Sequence, residues 1–335
     1  MKILAITNLF PTVANPWLGN FVEQQVKGLQ EIGQEVDVLS LDRAELGPQI
    51  YIRMGEEIRQ RFKQKKYDLV HIMYGGVMAD LATRMLTDIP SIVTIHGSDL
   101  LGDRLSDPIR RFSAYLGVFA SRRAIRRADG VIVVSSQLRE AVPNTISKSK
   151  VRIIPCGIDI QRFSPQDPDA CRRKLGWNPD SYHILFATSG SSIKRPELAR
   201  KSVRHLQQLG TNAEMHEMRG LPYDQVPMWI NASHALILTS LHEGSPTIVK
   251  ECLACNVPVV SVDVGDVRER TQGIAGCFVV PAKEEELAIS LQAACKARPQ
   301  VNSRDHIQDL SITSIAEKIS RFYNEVISAR NRPQL

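Results

Sequence analysis

The fold class predicted by this 335-residue sequence is α/β, built from two doubly wound parallel sheets, and three observations point to it. Short apolar runs rich in Val, Ile and Leu alternate with helix-length segments. The alternation pauses near residue 164, in a stretch holding Pro165 and Pro168, and then restarts. In the second half, 235–239 (ALILT) and 257–262 (VPVVSV) enclose a turn and a helix-length segment, so they read as one β-α-β unit of a buried sheet.

Composition is that of an ordinary globular protein: 43% hydrophobic, 23% charged, long enough for two domains. The opening MKILAIT reads as a first strand rather than a signal peptide, and no apolar run approaches the ~20 residues of a membrane span. Six scattered cysteines (156, 171, 252, 255, 277, 295) fit buried thiols in a reducing cytoplasm. Cys252 and Cys255 form a CxxC inside a predicted helix, with no second pair or histidine at ligand spacing, so they read as core thiols. The net charge of +6 is uneven: residues 1–163 carry 22 basic and 17 acidic side chains, and 104–127 alone holds seven arginines against Asp107. No nucleic-acid motif accompanies them, so nucleic acid is not the expected partner. An anionic membrane surface is the expected alternative to a merely solvated face.

In chain order, 2–7 (KILAIT) is a strand, 8–19 a long loop ending at Gly19, 20–32 a helix and 34–41 a strand. That loop is too long and too poor in glycine for a dinucleotide fingerprint. Residues 50–66 form a basic amphipathic helix, 68–73 (DLVHIM) a strand ending at Gly75-Gly76, 77–86 a helix and 91–95 (SIVTI) a strand. His96-Gly97-Ser98-Asp99 follows at the carboxyl edge, where α/β sheets place ligands. His71, inside its strand, reads as a satisfied core residue. Residues 108–127 are helical, and 130–135 and 151–155 are the last strands of this half.

The second half runs strand 183–188, helix 195–209, strand 213–218, loop 219–223 and helix 226–232. After the central unit come strand 277–280 and helix 284–297, and a last helix, 314–329, carries Ile315, Ile319, Phe322, Tyr323 and Ile327 at helical spacing. In the central turn, Ser245 reads as the N-cap, Pro246 as the first helical residue and Asn256 as the stop. The N–H groups of Thr247 and Ile248 are then free to hold a phosphate. Glu243 and Glu251 flank the turn, one in the loop and the other about 9 Å along the helix axis from Ser245.

A carboxylate, Gly-Ser-Pro and a second carboxylate between two buried strands resembles the E-x7-E signature of retaining glycosyltransferases of the GT-B fold, family 4; similarity extends over 232–270. The resemblance implies two Rossmann-like domains facing a cleft: 1–163 on the acceptor side, 164–313 binding the nucleotide sugar, and 314–335 packing back on the first domain. It implies that Glu243 contacts the donor sugar and Glu251 the ribose. HGSD resembles the family's HG-x-D and makes His96 an active-site candidate. SGSSIKRP (189–196) resembles the phosphate-binding lysine turn, giving Lys194 and Arg195. The same resemblance gives Gly19, Gly244, Ser245, Thr247 and Ile248 as donor contacts, backbone groups of Arg219 to Leu221 against the base, and Asp266 and Arg268 at the rim. Thr188 and Ser189 stand where the family usually has Gly followed by Arg or Asn.

The implied reaction is transfer of a hexose-type sugar from a nucleoside diphosphate sugar to a glycan or lipid-linked hydroxyl. The donor expected is a UDP-sugar, with a GDP-sugar as the alternative, and no cofactor. The sole D-x-D, Asp167-Pro168-Asp169, lies in a proline-rich stretch, so no metal is expected at the diphosphate. Two rivals share the architecture, a non-hydrolysing nucleotide-sugar epimerase and a degenerate nucleotide-sugar-binding subunit. NLFPT after the first strand departs from the epimerases' Gly-Thr-Arg-Pro-Glu loop.

Overall fold

The computed structural model describes residues 1–331 except 13–14, 16–17, 42–46, 103–107 and 189. Ser189 and Arg104, both singled out above, therefore lie outside the described residues. The chain divides into two compact units, Met1–Gly157 with Ile312–Leu335, and Ile158–Ser311. It passes between them at 157/158 and 311/312, where the sequence reading placed the passages at 163/164 and 313/314. Backbone pairing draws these limits: the Ile158 N–H donates to the Leu310 carbonyl (2.9 Å), and Ile158 bridges Ser311, so residues 158–163 belong with the second unit.

The first unit runs β1 (Lys2–Thr7), α1 (Asn20–Glu31), β2 (Glu35–Ser40), α2 (Ile50–Gln64), β3 (Leu69–Ile72), α3 (Gly76–Met85), β4 (Ser91–Ile95), α4 (Ser98–Leu101), α5 (Pro108–Arg127), β5 (Gly130–Val133), α6 (Ser136–Ala141) and β6 (Val151–Ile153). All strand pairs are parallel, in the order β2-β1-β3-β4-β5-β6. Ile3, Leu4, Ile6, Val70, Ile72, Val93 and Val131 are buried, which is why these strands read as unbroken apolar runs rather than alternating ones. The final helix, Ile312–Arg330, packs on α1: a Cβ on Gly28 would lie 2.4 Å from Ile312 Cγ2, so the approach requires glycine. His71 is a core residue, its ring nitrogens 2.6 Å from Tyr323 Oη and from Thr94 Oγ1. Burial holds it neutral, with its pKa lowered to about 3.

The second unit runs α7 (Pro168–Leu175), β7 (Tyr182–Ala187), α8 (Pro196–Gln208), β8 (Ala213–Met218), α9 (Val226–Ala232), β9 (Ala235–Leu238), α10 (Thr247–Ala254), β10 (Val259–Ser261), α11 (Val267–Thr271), β11 (Phe278–Val279) and α12 (Glu284–Ala297). Its sheet is parallel, ordered β11-β10-β9-β7-β8. The order reverses between β7 and β9, and such switch points open a crevice at the strands' carboxyl ends. Four short helices, α4, α6, α7 and α11, were not expected, because one or two turns give too little apolar periodicity to read. The D-x-D is not linker: Asp167 caps α7, its carboxylate accepting from the N–H groups of Asp169 (2.9 Å) and Ala170 (3.3 Å).

Candidate active site

At the β7/β9 switch point, two loops of the second unit are tied together. The Leu241 N–H donates to the Ile193 carbonyl (2.8 Å), and Thr239 Oγ1 donates to the Lys194 carbonyl (2.7 Å). This tie brings Lys194 Nζ to 2.6 Å from Glu243 Oε1, which also accepts from Ser240 Oγ at 2.6 Å. Both side chains are partly exposed. The sequence placed a cation and an acid 49 positions apart, and the fold makes them an ion pair. Arg195 takes another direction. It stands in left-handed conformation (φ 48°) before Pro196, and its guanidinium donates to the carbonyls of Thr239 and of Ser240 (3.2 Å).

The helix start is one residue later than expected. Thr247 is the first residue of α10, Pro246 occupies the cap position, and no side chain caps the helix. Ser245 instead donates its hydroxyl to Asp266 Oδ2 (2.7 Å) and accepts from Lys250 Nζ (2.5 Å). Lys250 is fully buried, 3.9 Å from Asp266, and Arg270 Nε reaches the same carboxylate oxygen at 3.1 Å. Asp266 therefore lies buried beneath the turn rather than at its rim, whereas Arg268 pairs with Asp263 at the surface. Gly244 is backed by Gly265 (φ 58°), where a Cβ would sit 2.6 Å from the Gly244 carbonyl oxygen. Without an intrahelical acceptor, the N–H groups of Thr247 and Ile248 are the natural anion donors of this turn. Asn256 ends the helix as read, with φ 55°.

Glu251 is buried, not a solvated surface acid, and its Oε1 accepts from Tyr223 Oη at 3.3 Å. Burial pushes its carboxyl up to about 7, against the opposing pull of the Tyr223 hydroxyl and Lys250. Tyr223 is flanked by Phe163 edge-on and by the Arg162 guanidinium, 4.9 Å from its ring centroid. Sequence reading used this loop only for its backbone and missed Tyr223. It also missed the Arg219 side chain: Gly190 (φ 82°) lies against it, and a Cβ there would be 2.8 Å from the guanidinium. Leu221 is half-buried in the same loop.

In the first unit, His96 and Gly19 sit on loops at carboxyl ends of the sheet. Gly19 (φ 72°) starts α1, and a Cβ there would be 2.3 Å from the Leu9 carbonyl oxygen. His96 Nε2 is 3.1 Å from the Met73 carbonyl, so that nitrogen carries the proton, and Nδ1 faces Cys156 Sγ at 3.7 Å. Phe21 (4.6 Å between centroids) and Tyr74 (stacked, 5.8 Å) flank the ring. Asp99, the last residue of HGSD, organises the turn. Buried, it accepts from the N–H groups of Gly97 (2.8 Å), Gly75 (3.0 Å) and His96 (3.1 Å). Burial raises its carboxyl pKa and these donors oppose the rise.

Comparison with known proteins bears directly on this arrangement. The family model for Glycosyltransferase Family 4 matches residues 18–162, and that for Glycosyl transferases group 1 matches 171–296. A putative teichuronic acid biosynthesis glycosyltransferase of Bacillus subtilis is 25% identical over 92% of this chain and 90% of its own length. A D-inositol 3-phosphate glycosyltransferase of Paenarthrobacter aurescens is 23% identical over 80% of this chain and 72% of its own. Among solved structures, sucrose-phosphate synthase of Thermosynechococcus elongatus superposes with a TM-score of 0.78 (16% identity, 98% and 100% coverage). Anabaena HepE in complex with UDP and glucose gives 0.68 (16% identity, 97% and 99% coverage). The two matched regions and the shared architecture identify the chain as a glycosyltransferase of the GT-B fold, similar to Family 4 over its first unit and to group 1 over its second.

Proposed function

We propose that this chain is a retaining, metal-independent transferase that moves a hexose-type sugar from a nucleoside diphosphate sugar, a UDP-sugar foremost, to a glycan or lipid-linked hydroxyl. The observation that carries the reading is the Lys194–Glu243 pair at the switch point, beside the amino end of α10. HepE, of the same fold, is known in complex with UDP and glucose, which supports the donor class.

Lys194 faces the departing diphosphate, with the N–H groups of Thr247 and Ile248 as neutral partners. Arg219 stands against Gly190 of the same loop and supplies a second cation, one that Thr188 and Ser189 do not. Glu243 accepts sugar hydroxyls, and Glu251, positioned by Tyr223, accepts from the ribose. The bond from the anomeric carbon to the β-phosphate oxygen breaks, and the acceptor oxygen bonds to that carbon on the same face. The acceptor's hydroxyl proton passes to the leaving phosphate. His96 is assigned to the acceptor side.

Peripheral contact with anionic membrane falls to α5. Phe112, Tyr115, Leu116 and Phe119, at i, i+3, i+4 and i+7, are all exposed. Arg111, Arg122 and Arg126 have no ion-pair partner among the described residues. Arg123 and Arg127 are held by Asp80 at 3.4 and 2.5 Å and serve the core instead.

Purified protein incubated with UDP- and GDP-sugars, with and without EDTA, tests the reaction. The expected result is product of retained anomeric configuration at a rate the chelator does not change. Inverted product overturns retention, and a rate lost with EDTA and restored by Mg2+ or Mn2+ overturns metal independence. An epimerised sugar, or donor binding without turnover across the acceptor panel, favours one of the two rival readings.

A further inference from the structure

At the opposite edge of the second unit's sheet, near the amino ends of β7 and β8, three metal-binding side chains converge. His183 and Glu214 are register partners on the two strands, and His216 follows Glu214 by two residues, on the same face of β8. One ligand atom from each lies within 4.8 Å of the others. His183 Nδ1 is 2.9 Å from His216 Nε2, which is 4.0 Å from Glu214 Oε2. The atoms facing away are already satisfied. His183 Nε2 donates to the Asn178 carbonyl (2.8 Å), so its Nδ1 keeps a lone pair aimed into the cluster. Glu214 Oε1 accepts from Ser181 Oγ (2.7 Å), leaving Oε2 on the inner side. Two of the three ligands are thus oriented by an outer partner, which is how proteins hold metal-binding histidines and carboxylates.

The surroundings fit the same purpose. Trp177 stacks on the His216 ring (3.6 Å, 8°), and Trp229 stands edge-on to both. His234 is engaged elsewhere, its Nδ1 accepting from the His183 N–H at 2.9 Å.

We propose that His183, His216 and Glu214 form a binding site for one divalent transition-metal ion, zinc by its ligand chemistry, with water completing the shell. The ion clamps edge strand β8 to β7. It is structural and remote from catalysis: β7 runs from His183 to the Lys194 loop, whose start is about 16 Å away along the strand. Metal independence of the transfer reaction is therefore unaffected. Without metal, His216 Nε2–H donates to His183 Nδ1. On binding, that proton moves to Nδ1 of the same ring, and both lone pairs face the ion. Tetrahedral Zn–N bonds of about 2.0–2.1 Å set the two nitrogens roughly 3.3 Å apart, so the rings must separate by about 0.4 Å.

Full-length protein freed of metal and titrated with Co2+ alone, then Zn2+, tests the site. The expected result is one Co2+ per chain with the visible d–d bands of a low-coordinate N/O site, displaced by Zn2+, and a rise in Tm on binding. Ser181→Ala, which removes only the outer partner of Glu214, should weaken binding about 10–100-fold. His216→Gln should abolish the bands, and exposed His306→Gln should leave them unchanged. Folded wild-type protein that binds no stoichiometric Co2+ or Zn2+ overturns the proposal. So does a His216→Gln variant whose Co2+ spectrum matches the wild type.

Discussion

The candidate turns of the two units are held in opposite ways. In the second unit the turn is held by charge: Lys194 against Glu243, and the buried Lys250–Asp266–Arg270 group around Ser245. In the first, one carboxylate, Asp99, gathers three backbone N–H groups and needs no cation. A turn that receives a dianionic leaving group benefits from mobile positive charge that can exchange a protein acid for a phosphate. A turn facing a neutral hydroxyl needs only rigid placement. The prediction is that damage to the second-unit turn appears mainly in rate, and damage to the first mainly in stability.

The largest effect sharpens this contrast. Glu243→Gln should lower turnover by about 10²–10³ with the protein still folded, as when a group aimed at the transition state is removed. Near wild-type turnover would remove Glu243 from the site. Lys194→Ala should cost roughly 10–150-fold, the rate equivalent of one charged hydrogen bond. Arg219→Ala should cost less in a wild-type background and proportionally more when Lys194 is already lost, and a double-mutant cycle reads this coupling. If the effects of Lys194 and Arg219 simply multiply, the two do not share the diphosphate.

Asp99→Ala should show the converse. Several buried N–H groups lose their acceptor at about 1–3 kcal/mol each, so thermal unfolding should shift down by several degrees. A Tm equal to wild type, alongside a large loss of rate, would break the comparison.

A subtler test uses pH. Glu251 is raised to about 7 from an ordinary carboxylate value. A raised carboxyl binds its proton more tightly in the folded state, so its contribution to stability is present at low pH and fades as pH rises towards 7. Under the ribose contact proposed for Glu251 the sign is opposite, because the carboxylate would be the acceptor. UDP affinity measured by calorimetry should therefore rise between pH 6 and pH 8, and the rise should vanish in Glu251→Gln. The smallest effect expected is at α5. Binding to anionic vesicles should fall on Arg122→Gln in a salt-sensitive way, about 1 kcal/mol per basic residue. A Phe112→Ser/Phe119→Ser variant should lose the salt-resistant part. Equal flotation of both variants with wild type would leave α5 a solvated face.

What the sequence determined by itself is the run of buried strands, the two-sheet architecture and the positions of Glu243, Glu251, Lys194 and HGSD. Parallel strands buried on both faces are legible as apolar runs, and loop acids between them stand out by contrast. Tertiary structure alone decided the partners. Ser245 looked like an N-cap by local rule, but a buried carboxylate 21 residues later took its hydroxyl. Arg195 sits beside Lys194 in sequence, yet a left-handed backbone turns it onto the Thr239 and Ser240 carbonyls just past β9. Arg219 drew attention only for its backbone and Tyr223 not at all, because nothing local says that their side chains face Gly190 and Glu251. Local rules describe what a residue can bond; long-range packing selects which partner arrives, and at a ligand site the partners are nearly all long-range.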